Sequence, residues 1–194
     1  IINGDTETGV TTFLLNHEID KGAIVGQLRE PIAPEDNIGT LYDRLMEIGS
    51  HLVTRTVDKL ADGNYTTIEQ MHIDEATLKP APKIFKEDGR IDWRRKAEDI
   101  HNLVRGLSPY PAAWTPIYKD GAECGSAKIF TTRFELCDHS TVPGTLKTDG
   151  RTHLAVAAAD GWVYIEEMQM AGKRRMAIKD VLLGWRLSNE VFQA

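Results

Sequence analysis

The first third of the chain passes from a strand-like to a helix-like pattern of apolar positions. Val10 to Leu15 and Ala23 to Leu28 are short runs rich in β-branched and apolar residues, and each predicts a strand. Pro31 and Pro34 exclude a regular ladder or helix interior after the second run. Leucine and isoleucine then recur every three or four positions, which predicts an amphipathic helix over 40 to about 61.

Both ends of this helix carry signals of their own. Thr40 followed by Asp43 has the form of a helix N-terminus, and Gly63 is placed for a C-cap. Two strands and one helix are too few to cover both faces of a sheet. We therefore interpret residues 1–65 as part of an α/β domain, and we expect it to be loosely folded or to associate with another copy.

The middle of the chain changes character twice. Residues 66–90 are polar, interrupted by prolines and without periodicity, which predicts a linker. A short helix is predicted over 94–105, ended by Gly106 and the prolines after it. From there turns separate short β-type runs, and a last helix is predicted over 177–184. The predicted strands are 113–119, 126–134, 143–147, 152–158 and 161–168.

Five short strands in about 80 residues are typical of a small β-barrel or sandwich, and an OB-like barrel is the preferred interpretation. The predicted fold class is therefore α/β plus β. Part of an α/β domain (1–65) is joined by the linker (66–90) to an OB-like barrel domain (91–194).

Composition and charge narrow the class of protein. A hydrophobic content of 41% and a charged content of 27% are ordinary for a globular protein. No apolar run reaches membrane length, and the first residues do not show a basic segment followed by an apolar one. Cys124 and Cys137 are too few for a disulfide framework and lack metal-ligand spacing, so we expect a cytoplasmic protein without a metal.

The net charge of −6 is unevenly distributed. Residues 1–87 hold 8 Lys and Arg against 15 Asp and Glu, whereas residues 88–194 hold 15 against 14. This balance argues against indiscriminate nucleic-acid binding, and a large polyanion would need cations gathered on one face. Three consecutive cations follow Gly172 in a predicted loop; they are either a solvated loop or a contact to a nucleic-acid backbone.

The turn between the first two strands holds the main candidate for chemistry. Asp20 lies where a loop on a rigid sheet can carry a catalytic side chain, although Asp-Lys-Gly is also an ordinary turn sequence. His17, three residues away, is interpreted as a solvated surface histidine. The neighbouring carboxylates at 35–36 and 166–167 are also interpreted as solvated. The pair at 166–167 lies in a predicted strand, where adjacent side chains face opposite ways and do not converge.

Two motifs in this region resemble the folate-dependent formyltransferase family: Asn3-Gly-Asp-x-x-Thr-Gly-Val-Thr and, about ten residues later, Ile19-Asp-x-Gly. The resemblance implies that Asp20 belongs to the catalytic set, and that the backbone of His17, Glu18 and Ile19 lines the pterin pocket. The family's other catalytic residues, an Asn and a His, lie upstream of these motifs. The resemblance also implies that residues 1–65 are the C-terminal part of a Rossmann-like formyltransferase domain. We therefore expect this chain to be a C-terminal portion that is inactive alone.

The second half extends the resemblance. The run from Arg105 to Trp114 is similar to the family's junction motif Arg-x-x-x-Pro-x-Pro-x-x-Trp/Tyr, for which packing is the preferred role. The Ala-Gly-Lys-Arg-Arg segment lies where relatives carry Ala-Gly-Lys-Lys/Arg. The resemblance implies that Lys173, Arg174 and Arg175 contact tRNA. Arg105, for which a structural role is preferred, and Lys79 and Lys83 in the predicted linker are secondary candidates for tRNA binding.

The implied activity is formyl transfer from 10-formyltetrahydrofolate, as donor substrate, to the α-amine of methionyl initiator tRNA. Folate and this tRNA would be the partners of a monomeric full-length enzyme. Two alternatives stay open: a formyltransferase acting on an amino-sugar nucleotide, and a non-catalytic RNA-binding module.

Overall fold

A computed structural model of the chain describes residues 1–70, 79–188 and 190–192. Its contacts divide the chain into two compact units. One, the loop unit, comprises residues 5–36 and 40–83; the other, the barrel unit, comprises residues 1–4, 37–39 and 84–194. The predicted linker falls partly outside the described residues, and its boundaries stay a prediction.

The loop unit contains a two-stranded antiparallel sheet and all but the first two residues of a long helix. Strand β1 (Glu7–Phe13) pairs with β2 (Ile24–Pro31), and helix α1 spans Ile38–Ala61. Ile68 adds one bridge at the sheet edge, exchanging backbone hydrogen bonds of 2.8 and 2.9 Å with Ile24. Both predicted strands and the predicted helix are confirmed, with bounds that differ by a few residues.

Helix α1 begins before Thr40, so the predicted N-cap is wrong. The Thr40 hydroxyl donates to Asp36 Oδ1 at 2.9 Å, and the Arg44 guanidinium donates to both oxygens of this carboxylate, at 2.6 and 2.7 Å. Asp36 is only 5% exposed, and the hydrogen bonds from Arg44 hold its pKa well below the ordinary range. The interpretation of Asp36 as solvated is therefore also wrong.

The other end of α1 follows the prediction. Gly63 has a φ of +68°, its N–H donates to the Leu60 carbonyl, and the Asn64 N–H donates to the Lys59 carbonyl. These two bonds form the Schellman arrangement that ends many helices with a left-handed glycine.

The barrel unit is an antiparallel sheet that bends into a barrel-like form. The strand order is β5-β6-β7-β4-β3-β9, with β8 paired to β7, and a bridge between Thr145 and Val191 joins the two ends. Its strands are β3 (Ala113–Lys119), β4 (Ala122–Leu136), β5 (Leu146–Thr148), β6 (Leu154–Ala157), β7 (Gly161–Met170), β8 (Met176–Ala177) and β9 (Glu190–Phe192). Its helices are a 3₁₀ turn (Glu87–Gly89), α2 (Ala97–Leu107) and α3 (Ile178–Gly184).

The hydrophobic pattern of the sequence does not predict β8 or β9, since strands of two or three residues are too short to show a period. The predicted end of α2 before Gly106 is also too early. A Cβ at this position would lie 2.5 Å from Ile2 Cγ1, so the glycine permits a close approach of the first residues rather than ending the helix.

The barrel core is organised around Trp93, which is fully buried. Its indole N–H donates to the Thr115 hydroxyl at 3.0 Å, and its ring lies 5.6 Å from that of Phe192. The Phe192 backbone approaches Gly144 so closely that a Cβ there would lie 1.8 Å from the Phe192 carbonyl oxygen. Glycine is therefore needed where the sheet closes.

Helix α2 places a half-buried histidine against β4. The ring of His101 shares a hydrogen bond of 2.9 Å with the Thr132 hydroxyl and lies 5.4 Å from the Phe134 ring. Burial, together with the positive charge of Arg105, lowers the pKa of His101.

Gly144→Ala is expected to destabilise the barrel unit by about 3–5 kcal/mol, since it combines a left-handed backbone with a steric overlap. The matched control is Gly150→Ala, where φ is also positive but no described atom lies within 4 Å of the added Cβ. This control should cost about 1–2 kcal/mol. Tryptophan fluorescence during thermal unfolding measures both, because all four tryptophans lie in residues 84–194. Equal losses would contradict the packing at Gly144.

The lowered pKa of His101 predicts a stability that depends on pH. The unfolded state takes up a proton near pH 6.5 that the folded state resists, so the free energy of unfolding should fall as the pH drops from 7.5 to 5.5. His101→Gln should flatten this dependence in urea titrations, whereas His51→Gln, on the exposed side of α1, should preserve it. An unchanged slope for His101→Gln would contradict the prediction.

Candidate functional site

The loop between β1 and β2 holds Asp20. The loop is closed at its base by a hydrogen bond of 2.9 Å from the Leu14 N–H to the Ala23 carbonyl. A Cβ on Gly22 would lie 1.5 Å from the Leu14 carbonyl oxygen. The Ile-Asp-x-Gly pattern therefore has a steric cause, because only glycine permits the two arms of the loop to approach this closely.

The backbone of Asp20 is fixed in an unusual conformation. Its φ is +59°, in the left-handed region that few residues other than glycine adopt. The side-chain amide of Gln70 donates 2.8 Å hydrogen bonds to the carbonyls of both Asp20 and Gly22. Sequence reasoning missed Gln70, since it stands fifty residues further along the chain in a segment without a motif.

The Asp20 side chain faces solvent. Within residues 1–70, 79–188 and 190–192 its carboxylate has no hydrogen-bond or ion-pair partner, so it can receive an incoming polar group. A carboxylate of this kind can accept a proton or orient a protonated neighbour.

The three residues before Asp20 are also exposed. The Asn16 side chain accepts a 2.8 Å hydrogen bond from the Glu18 N–H and donates to the Lys21 carbonyl, and Glu18 pairs with Lys21 at 2.9 Å. Ile19 is 88% exposed. The loop therefore presents His17 and the apolar Ile19, while the Glu18 amide is already bound within the loop.

The basic segment after β7 divides into two kinds of cation. Arg175 forms an ion pair with Glu167 and lies 4.4 Å above the Phe130 ring, and its hydrogen bond lowers the pKa of Glu167. Lys173 and Arg174 are exposed and have no ion pair in the described part of the chain. Two of the three predicted cations are therefore available to a ligand, whereas Arg175 supports the loop.

The remaining predicted cations, outside the basic segment, differ in their surroundings. Arg105 donates to the Asn102 side chain at 2.8 Å within α2 and is half-buried. In the loop unit, Lys79 pairs with Asp5. Lys83 is exposed.

Across the described residues, no three His, Cys, Asp or Glu side chains gather closely enough to hold a metal ion. Among the same residues, no helix has the length and apolar composition needed to cross a membrane.

Solved structures show which known folds this chain resembles. Two solved structures with similar folds are HypX from Aquifex aeolicus in complex with tetrahydrofolic acid and the N-formyltransferase from Helicobacter canadensis. The first aligns with a TM-score of 0.62 at 17% identity, covering 100% of this chain and 35% of that one. The second aligns with a TM-score of 0.56 at 17% identity, covering 90% and 58%.

Sequence comparison identifies the family. The pattern for the C-terminal domain of formyl transferases matches residues 83–186, and the pattern for the preceding formyl transferase domain matches residues 1–57. The chain belongs to the formyl transferase family, which confirms the resemblance seen in its motifs.

Curated relatives narrow the comparison. The chain is 46% identical over 188 residues to the methionyl-tRNA formyltransferase of Parabacteroides distasonis, covering 96% of this chain and 58% of the relative. It is 40% identical to that of Flavobacterium johnsoniae, covering 98% and 59%. The chain thus spans about three fifths of the length of these relatives.

Proposed function

We propose that this chain serves an enzyme that transfers a formyl group from 10-formyltetrahydrofolate to the α-amine of methionyl initiator tRNA. The observation that carries the proposal is identity of 40–46% to relatives named methionyl-tRNA formyltransferase, along nearly the whole chain. The amino-sugar alternative is supported only by fold, through a neighbour solved with dTDP-3-aminofucose at 17% identity.

The chain's part in the chemistry would centre on Asp20. Amine attack on a formyl carbon needs an unprotonated amine and a relay for the departing proton. An exposed carboxylate on a loop pinned by Gln70 is suited to orient such a relay, because its backbone position is fixed before substrate arrives. The donor folate would supply the formyl group.

The folate would lie against His17, Glu18 and Ile19. The exposed apolar side chain of Ile19 suits contact with a flat ring, whereas the Glu18 amide is already bound by Asn16. Asn16 would therefore shape this edge of the pocket.

The barrel unit would hold the tRNA. Lys173 and Arg174 are proposed as phosphate contacts because they are exposed and lack ion-pair partners in the described part of the chain. Arg175 would hold the loop in shape, and Arg105, Lys79 and Lys83 would be secondary contacts. In the same proposal, 1–65 is part of a Rossmann-like catalytic domain, 66–90 a linker and 91–194 an OB-like barrel.

Formyl transfer to methionyl-tRNA, an amino-sugar nucleotide and water tests the proposal. It is measured on the 194-residue chain and on a chimera carrying the upstream segment of the Parabacteroides distasonis relative. We expect the chimera, and not the 194-residue chain, to transfer the formyl group, and to do so only to methionyl-tRNA. In the chimera, Asp20→Asn should lower kcat at least about 100-fold with tRNA binding unchanged, because it removes the proton-relay partner.

The matched control is Asp62→Asn, at an exposed turn after α1, which should leave kcat unchanged. Transfer to the sugar nucleotide instead would replace the proposed acceptor. Full turnover in the Asp20 variant would remove this residue from the reaction.

The salt dependence of tRNA binding tests the basic loop. Replacing Lys173 and Arg174 together by Ala should weaken binding and reduce the slope of log Kd against log salt by about 0.7–0.9 for each phosphate that these side chains neutralise. Arg175→Ala should change the slope less but lower the unfolding temperature, because its contacts to Glu167 and Phe130 are structural. An unaltered slope in the double variant would show that Lys173 and Arg174 do not contact tRNA phosphates.

A further inference from the structure

A groove of about 890 Å³ lies on the barrel unit, and its lining includes none of the residues placed in the reaction. It is bounded by the segment before the 3₁₀ turn, the junction before β3, and the facing parts of β4 and the end of β7. Its lining includes Phe85, Tyr110, Trp114, Met170, Lys86 and Lys128. The groove lies within one unit, so its shape is set by one packed body.

Aromatic rings in this groove are open to solvent. Tyr110 is 82% exposed and Phe85 is 61% exposed. Trp114 is half-buried and held in place, since its indole N–H donates to the Lys86 carbonyl at 2.8 Å. Large exposed rings leave flat apolar faces in water, and a second flat ring can cover them by stacking.

Cations surround these rings. Lys86 Nζ lies 5.3 Å from the Trp114 ring centroid, and Lys128 donates one of its three N–H groups to the Pro111 carbonyl. The lining contains a single carboxylate, that of Glu123. The wall continues through Gly172 into Lys173 and Arg174, so cations outnumber acids here although the chain as a whole carries −6.

Open rings beside cations are the combination that binds single-stranded nucleic acid, in which bases stack on rings and phosphates lie on cations. A base-paired helix would satisfy only half of this surface, because its base faces are already stacked. An acidic peptide would use the cations but has few flat rings to offer Tyr110 and Phe85.

We propose that this groove binds unpaired nucleotides of RNA, with one base stacked on Tyr110 and the flanking phosphates near Lys128 and the Lys173–Arg174 loop. The choice of RNA rests on the proposed tRNA substrate, whereas the stacking rests on the groove itself. The groove would then act as a second contact, distinct from the Asp20 loop, that selects single-stranded segments.

The test measures binding of a labelled eight-nucleotide oligouridine to the 194-residue chain by fluorescence anisotropy at fixed salt. Tyr110→Ala should raise Kd roughly tenfold, the loss typical of one stacked base. Tyr110→Trp should retain the affinity. Tyr42→Ala, an exposed tyrosine on α1, is the matched control and should bind like the unaltered chain.

A duplex RNA of the same length separates stacking from charge. The chain should bind the duplex more weakly than the single strand, and Tyr110→Ala should not change its affinity for the duplex. Replacing Lys173 and Arg174 together by Ala should weaken the binding of both RNAs. An oligouridine affinity unchanged by Tyr110→Ala would overturn the proposal, whatever the formyl-transfer assay shows.

Three other results would also overturn the proposal. One is no binding of the single strand, and another is equal binding of uridine monophosphate, which would make the groove a site for free nucleotides. The third is binding of an acidic peptide, and not RNA, with the same dependence on Tyr110.

Discussion

The barrel unit depends on the place where its sheet closes. Phe192 reaches back to the segment before β5, its N–H donates to the Gly144 carbonyl at 2.9 Å, and its ring packs on the buried Trp93. The three residues of β9 thus connect β3 with the other end of the sheet. The groove and the basic loop are both built on strands of this closed sheet, so their geometry follows from a contact that neither contains.

The local sequence pattern predicts most helices and strands, whereas long-range contacts decide which side chains are buried or paired. Strand β3 is predicted with its observed bounds because it begins after a proline-rich turn and ends at a glycine-containing turn. The interpretation of Asp36 as solvated fails because its partner Arg44 lies eight residues further along, across the start of a helix. No short-range signal marks such a pair.

The candidate site shows the same division. The motif around Asp20 is recognisable in the sequence, and the structure supplies its steric reason in Gly22. Lys173, Arg174 and Arg175 look alike in sequence, yet only Arg175 is bound to Glu167. The exposed Tyr110 gives no signal of its own, since a tyrosine between two prolines is equally consistent with packing.

The hydrogen bonds from Gln70 hold the Asp20 loop from outside the loop itself. Both bonds come from one side-chain amide, next to the point where Ile68 leaves the sheet edge. A single substitution at Gln70 would therefore remove a hydrogen bond from two carbonyls of the loop at once. The conformation of the Asp20 loop is thus not set by residues 13–24 alone, since one residue outside them holds two of its carbonyls.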